Sequence, residues 1–136
     1  MKKALIVFGG WPGHEPEKCN EILSKFLMSK GYEVRSENST EAFAEDYVHE
    51  MDLIIPIVTM AFHHSPKGEI KKNEVNNLIK AVVNGCGLAG HHGGMCDAFR
   101  QSIDWQFLTG GQWVSHPNGI HNYKVNITKR NDPIME

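Results

Sequence analysis

Short apolar runs alternate with segments of helical period along this chain, and no other feature limits its fold as strongly. Residues 4–8 form an unbroken apolar run, the pattern of a strand covered on both faces. Residues 15–30 follow with Ile22, Leu23, Phe26 and Leu27 at helical spacing, Pro16 in the first turn and Gly31 at the end. Residues 32–36 read as a second strand, 40–50 as a short helix or turn, and 53–58 as a third, very apolar strand blemished by Pro56. A loop over 59–68 carries Phe62, His63 and His64, for which an ordinary loop role is favoured. Residues 69–84 place Val75, Leu78, Ile79, Val82 and Val83 on one helical stripe closed by Gly85. A fourth strand is expected at 87–90 and a helix at 93–102. Beyond a glycine and histidine loop at 110–117, residues 123–128 alternate Val125 and Ile127 with polar residues, as a strand exposed on one side does, and 131–133 reads as a turn. Strand and helix in strict alternation give an α/β fold, a parallel sheet with helices on both faces.

Length and composition narrow the function classes. A chain of 136 residues is one domain by length, with a hydrophobic share of 40% that suits a packed core. The net charge of −2, without a basic stripe or arm, argues against a nucleic-acid partner. No apolar run approaches the ~20 residues of a membrane span, and the first run stops at Gly9, too short for a signal segment. Cys19, Cys86 and Cys96 are odd in number and lack CxxC spacing, which fits reduced thiols in a cytoplasm.

Histidine is the unusual component. Of eight, His14, His63, His64, His91, His92 and His116 fall on or beside expected loops. In open parallel sheets ligands bind outside the carboxyl ends of the strands, where the loops bearing His14, His63–His64 and His91–His92 must lie. The segment Gly90-His91-His92-Gly93-Gly94 joins a strand to a helix through a tight turn, the geometry that lifts one side chain above a sheet edge. His92 stands where such elbows hold Ser or Cys, and free N–H groups at the helix start favour an anion or a developing oxyanion there. His92 is therefore the candidate base or polar stabiliser, and Asp97 the candidate carboxylate that orients a histidine. Gly10, Trp11, His14, His91, Gly93, Trp113 and His116 are the candidate ligand-binding residues. Gly10 allows close backbone approach. Trp11 and Trp113 suit the flat face of a sugar ring, and core packing explains them equally well. Cys96 lies one helical turn after His92, inside the helix; it reads as a small buried hydrophobe, which argues against a glutaminase nucleophile.

Gly9-Gly10 through His14, Gly90-His91-His92-Gly93-Gly94 with Asp97 and Phe99, Gly110-Gly111 with His116-Pro117, and Tyr123-Lys124-Val125-Asn126-Ile127 then Asp132-Pro133-Ile134 together resemble the ThuA-like (trehalose utilisation) family. The ordered set carries the resemblance. It implies a flavodoxin-like three-layer fold related to class I glutamine amidotransferases and a role in carbohydrate metabolism, of disaccharides or keto-sugars. Members of that family usually run on well past the position of Glu136, so residues 1–136 are read as a ThuA-like domain shortened at its C-terminus. A shortened sheet leaves an unpaired edge, and an exposed edge invites a homodimer.

Three readings stay open at this point. One is a His-lined site for a sugar or sugar-derived ligand, with hydrolysis or proton transfer beside a carbonyl as its chemistry. Another is a metal-dependent hydrolase in which a histidine cluster holds a divalent ion such as zinc, although no HExxH-type spacing is present. The last is a binding module that keeps the amidotransferase fold without chemistry.

Overall fold

The computed structural model of the chain describes residues 1–61, 71–116 and 119–133. The loop residues Phe62, His63 and His64, and also Pro117 and Ile134, lie outside them. The main elements are β1 (Lys2–Gly10), α1 (Pro16–Ser29), β2 (Tyr32–Glu37), β3 (Leu53–Thr59), α2 (Lys72–Val83), β4 (Gly87–Leu88), α3 (His92–Cys96) and α4 (Ile103–Thr109). The strands form one parallel sheet in the order β2-β1-β3-β4.

The period of two along the strands sorts their side chains into two cores. Leu5 and Val7 of β1 join Ile54 and Val58 of β3 on the face covered by α2 and α4, with Leu78 and Trp105 among the buried residues. Ala4 and Ile6 join Ile55 and Ile57 on the other face, where Leu27 of α1 closes the layer. The molecule is thus a three-layer α/β sandwich of the flavodoxin-like type. Residues 40–50 form two 3-10 turns, Thr40–Ala44 and Asp46–Glu50, which bury Phe43 and Val48.

Pro56 lies inside the sheet, paired with Val7. It is tolerated because β4 pairs only with Leu53 and Ile54, so the ladder on that side ends before the proline. In place of a longer β4, the Gly93-Gly94 pair of α3 lies directly on β3. A Cβ on Gly94 would stand 3.2 Å from the Ile57 Cα, and one on Gly93 2.8 Å from the Thr59 Cγ2.

The structure departs from the sequence expectations at three places. The strand expected over 87–90 is only Gly87–Leu88, because beyond it α3 lies against β3 in place of a longer ladder. The helix expected over 93–102 is split, because tertiary donors claim the carbonyls it needs. Met60 N–H donates to the Asp97 carbonyl at 3.0 Å, Ala61 N–H to that of Ala98 at 3.2 Å, and the Trp105 indole to that of Met95 at 3.0 Å. The chain restarts as α4 behind Ser102, whose hydroxyl accepts from Trp105 N–H. Residues 123–128 form no strand; Tyr123, Val125 and Ile127 are exposed. The alternation is there, but a strand needs a neighbour to complete its hydrogen bonds.

Candidate functional site

β1 ends in Gly9 and Gly10, and the second is demanded by geometry. A Cβ on Gly10 would fall 2.1 Å from the Thr59 carbonyl oxygen, and its φ is +77°. The next residue, Trp11, donates its N–H to that same oxygen at 2.8 Å. The indole of Trp11 then folds over Gly13, where a Cβ would meet its ring at 2.4 Å. A single 3-10 turn, Pro12–His14, carries His14 back over the sheet edge, where His14 Nδ1 and Thr59 Oγ1 share a hydrogen bond of 2.9 Å.

His92 arrives from the other side of β3. It opens α3 with φ +50°, a left-handed conformation that residues with a Cβ rarely adopt. Glu15 and Met60, which follow β1 and β3, are left-handed as well, at φ 48° and 52°. Strain of this kind persists only where surrounding structure holds it, and all of it among non-glycine residues described here gathers at this rim. The helix behind His92 has only five residues, so it offers the rim its first N–H groups without the aligned dipoles of a long helix.

Backbone hydrogen bonds strap the loops together. Besides Trp11 to Thr59 and Met60 to Asp97, Trp113 N–H donates to the Cys96 carbonyl at 3.0 Å and brings the third loop over α3. The result is a continuous run of rings. Trp11 and His14 lie 4.7 Å apart between centroids, His14 and His92 4.9 Å, His92 and Trp113 5.4 Å, and Trp113 and His116 4.9 Å. These five residues, with Thr59, Met60, Gly93 and Asp97, line a cavity of about 340 Å³. Of the other candidates, His91 lines an adjoining cavity, whereas Gly10 and Cys96 line neither. Gly10 instead sets the spacing of the loop from β3. Among the described residues no three His, Cys, Asp or Glu side chains are grouped as a metal ion requires.

Thr59, Met60 and Arg100 escaped the sequence reading. Thr59 is a single polar residue closing an apolar strand, and that contrast was the available signal. Arg100 pairs through Nε with the carboxylate of Asp97, which is 3% exposed. Asp97 therefore spends one oxygen on a neighbour in its own loop, and its influence on histidine is by charge.

Burial pushes the His14 imidazole below its ordinary pKa, helped by the nearby positive charge that His92 can carry and opposed by Asp97. A lowered pKa means that the unfolded chain binds the extra proton first as pH falls. Stability from this group is therefore complete above the ordinary histidine value of ~6.5 and is lost as pH falls through the lower folded value. His14→Gln should flatten the fall of denaturation midpoint as pH drops from ~6.5 to the lower folded value. An unchanged slope would show that His14 is not held neutral.

Neither a curated protein nor a solved structure matches the chain. The family model described as ThuA, trehalose utilisation, matches residues 3–136. With its glycine-rich loops, its all-parallel sheet and this match over nearly the whole length, the chain belongs to the ThuA family and has a glutamine amidotransferase-like α/β fold.

Proposed function

We propose that the protein binds a sugar or sugar-derived metabolite over the carboxyl edge of its sheet and acts on it through His92 and His14. The observation that carries this reading is the ring-lined cavity of about 340 Å³, to which three separate loops contribute Trp11, His14, His92, Trp113 and His116. Its size lies near the lower end of the ~300–1,000 Å³ of small-molecule sites. Indole faces stack on the C–H face of a pyranose, while imidazoles supply the few directed polar contacts that fix orientation. The family's description, trehalose utilisation, points to the same ligand class.

In this reading His14 is the fixed partner. Thr59 holds its Nδ1, leaving the other ring nitrogen for the ligand, and burial favours the neutral form that accepts a proton. His92 is the base or polar stabiliser at the elbow, 4.9 Å from the His14 ring between centroids. Asp97, charged and held by Arg100, stabilises positive charge that develops on the imidazoles. Two histidines so placed serve hydrolysis or proton transfer beside a carbonyl.

The test is a screen of disaccharides and their keto derivatives with the wild type beside His92→Ala. Loss of a positioned acid–base group is expected to cost ~10²–10⁴-fold in turnover while binding persists. Full turnover by the variant would remove His92 from the chemistry. A stoichiometric divalent metal retained by the purified protein would redirect the reading to a metal-activated water.

A further inference from the structure

The indole Nε1 of Trp113 is shielded from solvent and, alone among the buried side-chain nitrogens and oxygens of the described residues, has no hydrogen-bond partner. Buried donors in folded proteins are almost always paired, and leaving one unpaired weakens the arrangement that holds it by roughly tenfold or more. We propose that this N–H is kept for the ligand: the Trp113 indole swings aside to admit it and returns to donate to one of its oxygens. The inference rests on the reading of the cavity as a sugar site. It adds a directed bond and a movement to the stacking face that Trp113 offers there.

Trp113 is a wall residue of the cavity, not a core one. Its ring lies 5.4 Å from that of His92 and 4.9 Å from that of His116 between centroids, and both histidines are exposed. Trp105 shows the contrast: it is 1% exposed and donates its indole N–H to the Met95 carbonyl at 3.0 Å. The chain around Trp113 leaves its ring room to turn, since Gly111, Gln112, Val114 and Ser115 are all exposed. The backbone meanwhile stays in place, because Trp113 N–H donates to the Cys96 carbonyl at 3.0 Å. The ring therefore turns about its own side-chain bonds on a fixed pivot, and the rim beneath keeps its geometry. Turned outward, the indole N–H meets water. Turned inward, it has no water bond to surrender, so a ligand oxygen gains more there than an ordinary exchange of hydrogen bonds gives. A ligand without an oxygen at that point leaves the donor unpaired, which makes Trp113 a residue that selects by the position of an acceptor.

The three tryptophans make the idea measurable, because protein labelled with ¹⁵N-tryptophan gives one indole N–H signal each for Trp11, Trp105 and Trp113. In the ligand-free protein the Trp113 indole is expected to exchange its proton with D₂O at least about tenfold faster than that of Trp105, which is both buried and paired. Equal protection of the two overturns the movement. Trehalose at ten times its Kd leaves about a tenth of the protein free, so it should slow exchange at Trp113 about tenfold, move that signal downfield and leave Trp105 unchanged. Trehalose that shifts the His14 and His92 ring signals but not the Trp113 indole overturns the bond and leaves the sugar reading standing. Trp113→Phe keeps an aromatic face and removes the unpaired donor. Its urea midpoint should equal or exceed that of the wild type, and its affinity for trehalose should fall about tenfold or more. Trp11→Phe, which shrinks the other indole face equally, should cost far less affinity. Equal losses in the two variants would mean that stacking area alone matters and would overturn the donor. If trehalose and the other sugars of the screen do not bind, the sugar reading falls and the ligand bond with it, whereas the ligand-free exchange still decides whether the indole moves.

Discussion

Trp105→Ala is expected to lower the unfolding free energy by about 3–5 kcal/mol, read as a shift of the urea midpoint at constant slope. Trp105 is the largest fully buried side chain and is 1% exposed. Its ring meets Phe99 edge-on at 4.9 Å, and Phe99 in turn meets Phe43 at 6.4 Å. The alanine variant empties that volume, and the indole no longer donates to the Met95 carbonyl. The second loss reaches the site, because that bond ends α3 and so sets where Asp97 turns away from the helix. A loss of this size is a large fraction of the ~5–15 kcal/mol that holds an ordinary domain. Trp105→Phe should recover most of the packing without the hydrogen bond. A loss below ~1 kcal/mol for the alanine variant would mean that α4 is not part of the cooperative core.

Gly10→Ala is the second large effect, and it separates conformational strain from contact. At Gly10 the added methyl meets the Thr59 carbonyl carbon at 3.0 Å and its oxygen at 2.1 Å, both backbone atoms. Gly31 has a similar φ of +83° with nothing within 4 Å. Gly31→Ala should therefore cost only the conformational penalty, about 1 kcal/mol, whereas Gly10→Ala should cost about 3 kcal/mol or more. The difference measures the close passage of the first loop over β3. Because Trp11 and His14 ride on that loop, the Gly10 variant should also weaken the sugar binding proposed for the cavity, and the Gly31 variant should not. Equal losses at both positions would show that the loop does not depend on its contact with Thr59.

The left-handed residues make the same point about the rim as a whole. Glu15, Met60 and His92 hold unfavourable backbone angles next to the cavity. They are kept there by the cross-loop hydrogen bonds of Trp11, Met60, Ala61 and Trp113. A site fastened in this way keeps its geometry before a ligand arrives, which lowers the ordering cost of binding.

How much of this could be read in the residues is best seen strand by strand. The apolar run of β1 and its neighbour β3 announced buried parallel strands, and the stripe from Val75 to Val83 announced α2, because such periods are local and repeat within a few residues. The pairing of glycine loops with His14 and His92 marked out one rim, since alternation of strand and helix alone assigns the loops after β1 and β4 to the carboxyl edge, whereas the loop of His116 follows a helix and its arrival there is decided by the fold. The Thr59 hydroxyl under His14, the Arg100 partner of Asp97 and the break after Cys96 were invisible there. The first and last depend on which distant group reaches a donor or acceptor, and the ion pair on the turn that the break in the helix creates.

What the amino-acid order determined by itself was the class of fold and the neighbourhood of its histidines, because apolar period and glycine placement act through nearest neighbours. What only the folded chain decided was the geometry among them. His14 and Thr59 lie 45 residues apart in sequence, and their meeting follows from the register of β1 against β3 and from a loop that clears the sheet only because Gly10 has no side chain.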